Sequence, residues 1–448
     1  MANSEAESRV LRLRAALDSG RWAPVKRQLA SLNPSEVAKL LAALPERERN
    51  LVWEMVDPAD DGQVLLHLPE DVRDGLIRQM DTAELVAAAE DLDIDDLADF
   101  VDSLPETVTR EVMRALSDAD RARLEAVLIH EPDTAGGLMN TDTVTVRPDV
   151  SLEVVMRYLR MRGELPAHTD ALFVVDRYGV YLGRLALDRI LTRDPASTVT
   201  EVMDRDSEAL AVDMSERDVA QEFESSDLVS AAVVGSDRKL VGRVTVDDVV
   251  DVIRADAEHN LLSMAGVDED EDLFAPVRRA ARRRALWLGI NLCSAFLAAR
   301  VVGLFEATIQ QVVALAVLMP IVASMGGIAA NQIVALMVRG LALGQIGAGN
   351  TGALLRKEML VALINGLLWG LVVAGVTSWW FDSPTLGFVI GLALLLNLMF
   401  AAMAGLLVPL MLRRLGLDPA LAGSVIVTTI TDVMGFFLFL GLGTLILL

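Results

Sequence analysis

Apolar and polar positions along this chain follow three rhythms in succession. Up to about residue 130, short apolar stretches such as Val37-Leu40-Leu41 and Leu97-Phe100-Val101 are spaced as one face of a helix. Polar breaks separate them at Leu32-Asn33-Pro34, Leu44-Pro45-Glu46, Val56-Asp57-Pro58, Leu68-Pro69-Glu70, Met80-Asp81-Thr82, Leu92-Asp93-Ile94, Leu104-Pro105-Glu106 and Leu116-Ser117-Asp118. Each break begins twelve residues after the one before. Asn, Asp, Ser and Pro at such points match helix N-caps and first-turn prolines. The beat predicts a stack of short helices, about two turns each, forming a small solenoid.

Residues 139–253 change to short β-rich runs alternating with amphipathic helices such as Leu152–Leu159 and Val219–Phe223. The segment is duplicated. Met139-Asn-Thr-Asp142 answers Met203-Asp-Arg-Asp206. Phe173-Val-Val-Asp176 with Leu182-Gly183-Arg184 answers Ala232-Val-Val-Gly235 with Val241-Gly242-Arg243. The first copy carries about five extra residues, placed around Gly163–His168.

Beyond residue 284 the apolar runs become too long for a soluble domain. Five spans fit: about 285–304, 309–341, 358–380, 386–412 and 421–447. The second would cover about 50 Å as a straight helix, against a hydrocarbon core of about 30 Å. Pro320 and Gly326-Gly327 supply a break, and Gly326 to Gln332 a stretch that lines a pore or packs closely through small residues.

Charge divides along the same line. The formal net charge is −23, and residues 278–448 hold only 11 basic and 5 acidic residues, so the acidic excess belongs to the first part. That excess excludes duplex nucleic acid as a natural partner and favours divalent cations. The single cysteine, Cys293, excludes a disulfide framework, and four scattered histidines form no metalloenzyme constellation. Arg278–Arg284, Arg339, Arg356-Lys357 and Arg413-Arg414 all fall on one side of a five-span weave. The positive-inside rule then makes that side cytoplasmic, with the acidic domains, and leaves the C-terminus outside in a cell inner (plasma) membrane protein. Arg300 is the one stray.

Candidate chemistry lies in three places. Asp91, Asp93, Asp95, Asp96 and Asp99 put five carboxylates in nine residues, either a solvated face or a site a divalent cation would relieve. Asp247, Asp248 and Asp251 open a helix that continues through Asp256 and Glu258, before the run Asp268–Asp272. Asp432, beside Thr428, Thr429 and Thr431, lies about 16 Å into the last span. An acid at the midplane with no evident partner marks a functional site, here a cation pathway, the alternative being a structural hydrogen-bonded acid.

In this order the chain resembles the MgtE family of magnesium channels. The strings that carry the likeness are Glu131-Pro-Asp-Thr-Ala-Gly-Gly-Leu-Met139, Val244-Thr-Val-Asp-Asp-Val249, Arg413-Arg-Leu-Gly-Leu-Asp-Pro-Ala420 and Val427-Thr-Thr-Ile-Thr-Asp-Val433. The duplicated segment resembles a tandem pair of CBS domains. Within it Thr245 and Asp248 match a Thr-Asp pair that often holds a nucleotide ribose, so ATP is a possible ligand of the second copy only; a rigid block without nucleotide is the other reading. The fold class implied is a multidomain membrane protein: an all-α helical-repeat domain (1–133), α/β tandem CBS domains (134–253), a connecting plug helix and basic linker (254–284), and a five-helix transmembrane pore domain (285–448).

The resemblance further implies a homodimer in membrane lipid, a pore on the dimer axis, and no enzyme activity. Mg2+ would be both cargo and regulator. The family's pore aspartate falls on Asp432, its second-span asparagine on Asn331, and its inner-mouth acid on Asp418. Ser424 stands where an asparagine can occur. Asp95, Asp96, Asp247, Asp248, Asp251, Asp256 and Glu258 are the candidate regulatory ligands. Ile328 and Ala330 replace an Asn and a Gly of the family's filter, and His259-Asn260 stand where acids are expected. A non-conducting Mg2+ or nucleotide sensor, and a transporter of Co2+ or Mn2+, remain as alternatives.

Overall fold

The structure is a computed structural model. It describes residues 22–90, 92–266, 272–347 and 349–448, with Leu11, Leu13 and Ala16. Asp91 and residues 268–271 of the acidic run lie outside the described residues. The chain forms two compact units. One is residues 1–256 with 270–275, the other residues 257–269 with 276–448.

The first unit opens with helices α1 (Trp22–Leu29), α2 (Pro34–Ala42), α3 (Glu46–Trp53), α4 (Asp61–Leu66), α5 (Glu70–Ile77), α6 (Thr82–Glu90), α7 (Ile94–Asp102), α8 (Glu106–Ala115) and α9 (Asp118–Leu128). The twelve-residue beat survives as the start of each element from Pro34 to Asp118. One start is softened: a 3-10 turn, Pro58–Asp60, precedes α4. Two kinds of start recur. Asn33 and Ser117 cap through their side chains, and Asn33 forms a capping box with Glu36. Pro45, Pro69 and Pro105 occupy the cap position itself and make no side-chain cap bond, so only Pro34 and Pro58 are first-turn prolines. Helices two apart in sequence pack together, as α2 on α4, α4 on α6, α6 on α8 and α7 on α9. That is the contact pattern of a solenoid.

The duplicated segment comprises β1 (Thr145–Val146), α10 (Leu152–Arg162), β2 (Ala171–Val175), β3 (Tyr181–Ala186), α11 (Leu187–Thr192), α12 (Val199–Val202), β4 (Leu210–Ala211), α13 (Glu216–Ser226), β5 (Ser230–Val234) and β6 (Leu240–Thr245). Each copy is a three-stranded sheet. The first strand is parallel to the second, the second antiparallel to the third, and a register shift falls at Val174/Val175 and again at Val233/Val234. The Met139 and Met203 segments have a purpose the sequence did not reveal. Each crosses to the other copy. Asn140 exchanges two backbone hydrogen bonds with Arg243 of β6, and Asp204 exchanges two with Arg184 of β3. Gly183 (φ +144°) admits that approach, since a Cβ there would lie 2.2 Å from the Asp204 carbonyl oxygen.

The solenoid and the second copy share one buried core, which includes Leu97, Val101, Met139, Phe223, Val244 and Val249. Asp272, the last of the acidic run Asp268–Asp272, accepts a 2.8 Å hydrogen bond from Arg49, and both side chains are buried. Arg49 also donates to the Leu41 and Leu44 carbonyls, so the ion pair is fully engaged.

Helix α14 (Val246–Ser263) passes from the first unit into the second. The second unit then holds α15 (Val277–Gly303), α16 (Glu306–Gln311), α17 (Ala314–Ala342), α18 (Thr351–Phe381), α19 (Pro384–Arg414) and α20 (Pro419–Leu447). Among the described residues five helices are long and apolar enough to cross a membrane. The second span corrects the sequence reading. The break falls at Val312-Val313, between α16 and α17, whereas Pro320, Gly326 and Gly327 are all helical. A proline near a helix start forfeits one backbone bond without ending the helix. Gly326 is there for packing. A Cβ on it would sit 2.3 Å from Asn397 Nδ2, and that amide donates to the Val322 carbonyl at 3.0 Å. Asn397 also abuts Gly435 of α20, so one buried side chain on α19 spaces α17 and α20.

Candidate ion pathway and regulatory site

Asp432 is the fourteenth of the 29 residues of α20, midway along the helix. The side chains of Ser424, Thr428 and Asp432 are four residues apart, so they form one stripe with a rise of about 6 Å per step. All three are half-buried. The neighbouring threonines are spent on the backbone: Thr429 donates to the Val425 carbonyl and Thr431 to the Thr428 carbonyl. Among the described residues no group pairs with the Asp432 carboxylate or the Thr428 hydroxyl. Arg300, the basic residue nearest in kind, is exposed and pairs with no described carboxylate. The stripe therefore offers a full charge and a hydroxyl that the fold leaves unused.

Helix α17 packs on α20, and Ala330 and Val427 belong to the same buried cluster. Asn331 and Thr428 each follow one of these residues. Asn331 is exposed. Of the two substituted filter positions, Ile328 is exposed, whereas Ala330 is fully buried beneath Gly405 of α19. The change at 330 thus concerns helix packing.

The start of α20 is engaged by the end of α14 and the residue that follows it. Asp418 caps α20 by accepting from the Ala420 N–H at 2.8 Å. Its other oxygen lies 3.0 Å from His259 Nε2. Ser424 Oγ donates to the Met264 carbonyl at 3.3 Å. Two of the proposed cation ligands are thus held by the connecting helix, and His259 occupies the place where another acid was expected.

In the first unit the solenoid brings α7 against the turn from β6 into α14. Asn140 Nδ2 donates to Asp95 at 3.2 Å, and Gln63 to Asp96 at 3.5 Å. Burial pushes the Asp95 carboxyl up, with Asp93 adding to it and the Asn140 bond opposing. Burial, then Asp95, pushes Asp96 up to about 7. Across the turn, burial, then Asp95 and Asp247, pushes Asp248 up to about 8. The charges of Asp95 and Asp248 thus act on each other although 153 positions separate them in the sequence. Asp247 lies 3.3 Å from His168, the left-handed end of the extra residues in the first copy. The Thr245–Asp248 pair is closed on itself: the Thr245 hydroxyl lies 3.0 Å from Asp248 and 2.5 Å from Asp247, and its single proton serves one of them at a time.

The remaining candidates are dispersed. Asp251 and Glu258 are exposed, and Asp256 is paired with Arg217 at 2.8 Å. No group of three or more His, Cys, Asp or Glu stands ready-made for a metal among the described residues. One acid went unremarked in the sequence. Asp61 rises to about 7 through burial, then Glu84, Asp57 and Asp60. Its signal was the string Asp57-Pro-Ala-Asp60-Asp61, which was read only as a repeat boundary.

Comparison with known proteins agrees along the whole chain. A family model described as a divalent cation transporter (MgtE) matches residues 319–442. The MgtE intracellular N domain matches residues 32–133, and CBS domains match 135–195 and 199–255. A magnesium transporter MgtE of Thermus thermophilus is 30% identical over 446 residues, covering 98% of this chain and 99% of the relative. One of Bacillus subtilis is 24% identical, covering 97% and 96%. A crystal structure of the cytosolic domain of the Mg2+ channel MgtE in complex with ATP is 30% identical. It covers 54% of this chain and 99% of its own, with a TM-score of 0.49.

Proposed function

The chain belongs to the MgtE family of divalent cation transporters, and on that premise we propose that it conducts hydrated Mg2+ down its electrochemical gradient, under the control of cytosolic Mg2+. The observation that carries this reading is the unpaired Asp432 carboxylate, midway along the last span in line with Thr428 and Ser424. Magnesium gives up its six waters reluctantly. A carboxylate and hydroxyls about 6 Å apart suit the hydrated ion, because the oxygen of each can accept a hydrogen bond from the waters of its shell. In a homodimer two Asp432 side chains would offset the double charge. Asn331, exposed on the helix packed against α20, is the second group we assign to the pathway. No phosphate loop is evident in the sequence, and a gradient suffices to drive the flow.

Gating rests on two places. Asp95, Asp96, Asp247 and Asp248 repel one another where the solenoid meets the second CBS copy, and a divalent cation there relieves the repulsion. Asp251, Asp256 and Glu258 serve as outlying charge along α14. At the inner end of α20, His259 holds Asp418 and Met264 holds Ser424, which supports reading the connecting helix as the plug. His259→Ala removes that hold without adding charge. We expect Mg2+ uptake into proteoliposomes at inhibitory Mg2+ on the plug side to rise about fivefold, comparable to a coupling of about 1 kcal/mol. Unchanged inhibition would place the gate elsewhere.

ATP is assigned to Thr245 and Asp248 in the second copy, where the nucleotide would have to open the Thr245–Asp248 hydrogen bond. By the positive-inside rule, the basics of α15 and of the ends of α17, α18 and α19 support a reading with the soluble domains in the cytoplasm and Leu448 outside the plasma membrane. A reporter fused after Leu448 should work only in its extracytoplasmic form.

A further inference from the structure

A cavity of about 450 Å3 opens between the end of α17, the loop residues Gln345, Ile346 and Asn350, and the start of α18, at the membrane edge marked by Arg339, Arg356 and Lys357. It is built by the sequence. Gly340 lets the loop fold back under α17, since a Cβ there would meet Ile346 Cδ1 at 2.6 Å. Asn350 locks the loop by donating to the Gln345 carbonyl at 2.6 Å and accepting from the Gly347 N–H at 3.0 Å. The walls are mainly apolar, with Ile333, Leu336 and Leu354 among them. Their total volume falls in the range of small-molecule sites.

Glu358 lines this cavity and its side chain is only 7% exposed. Among the described residues its partner is Lys357 Nζ at 2.9 Å, the preceding residue and itself 64% exposed. A buried carboxylate has about four acceptor positions, and one exposed lysine occupies a single one. Such a half-satisfied charge at a membrane edge is costly. The anion is sheltered, whereas its counter-cation is largely exposed to solvent.

We propose that this cavity binds the headgroup of phosphatidylethanolamine from the cytoplasmic leaflet. The lipid's primary ammonium donates to Glu358. Lys357, released, turns to the lipid phosphate, and the acyl chains leave over Leu336 into the bilayer. Two zwitterionic pairs thereby exchange partners with no net change in charge. The three N–H groups are the reason for the choice. Phosphatidylcholine carries the same charges, but its trimethylammonium has no N–H to donate and is too broad to approach the buried oxygens. Phosphatidylglycerol offers no cation at all.

The test is native mass spectrometry of the delipidated full-length chain titrated with each of the three lipids. The parent should bind one phosphatidylethanolamine per chain saturably, about tenfold more tightly than phosphatidylcholine. Glu358→Gln should reduce that preference to about twofold or less. Ala353→Trp, which fills the cavity from a wall residue and leaves the charge pair intact, should abolish the saturable site. Equal binding of the two zwitterionic lipids by the parent, or a preference that survives in Glu358→Gln or Ala353→Trp, would overturn the proposal. Because lipid binding is read without ion flux, its failure leaves the conduction reading untouched, and the converse also holds.

Discussion

Asp432→Asn is expected to lower Mg2+ uptake by proteoliposomes at least tenfold, with insertion and stability retained. The substitution keeps the shape of the side chain and its capacity for hydrogen bonding, and removes only the charge. The helix around it is indifferent to that charge, since no described group pairs with it. Its loss deprives the ion of the one full countercharge midway along α20, and a tenfold loss of uptake corresponds to about 1.4 kcal/mol of lost stabilisation. Asp432→Glu, one methylene longer, should keep more flux than the amide. Asp418→Asn should instead alter inhibition from the inner side, because Asp418 is spent on His259 and on the cap of α20. Uptake by Asp432→Asn equal to the parent's would make the acid structural.

The second large effect belongs to the cytosolic acids, and its sign follows from their pKa values. Asp96 and Asp248 are raised to about 7 and about 8 in the fold, against 3.8 without it. The folded state therefore binds more protons than the unfolded chain between these values, and stability falls as pH rises from about 4 to about 8. Below 3.8 both states are protonated and the penalty vanishes. On the proposed reading Mg2+ binds the ionised cluster, so its protection should grow over the same window. Hydrogen exchange of the full chain should slow on adding Mg2+ in α7 and at the start of α14, clearly at pH 8 and hardly at pH 5. Asp95→Asn with Asp248→Asn should protect the same segments without Mg2+ and make them indifferent to it. Equal exchange with and without Mg2+ at pH 8 would remove the sensor from this interface.

How much of this was legible in the sequence depended on how local each feature is. The solenoid was readable because each helix start is written within three residues, as at Asn33-Pro34-Ser35-Glu36, where the capping box closes on itself. The duplicated module was readable through its repeated Gly-Arg strand. What the repeat could not reveal was the crossing of Asn140 to Arg243 and of Asp204 to Arg184, because backbone pairing between copies leaves no mark on residue type. The second span was misread for a related reason. Pro320 and Gly326-Gly327 look like a helix break, but Gly326 answers Asn397 on another helix, a demand that exists only once the helices pack. Asp432 stood out in the sequence through its depth alone. The hold of His259 on Asp418 joins positions 159 apart and had no sequence signature beyond an unexpected histidine.

The most direct measurement is Mg2+ entry into sealed proteoliposomes containing only this chain, with a Mg2+ gradient as the sole driving force and no nucleotide. Entry should follow the gradient, reverse when it is reversed, proceed in the presence of excess Na+, and be largely absent in vesicles bearing Asp432→Asn. Vesicles of the parent chain that stay as tight to Mg2+ as protein-free vesicles, with low Mg2+ on the plug side, would contradict conduction and leave a membrane-anchored sensor in its place.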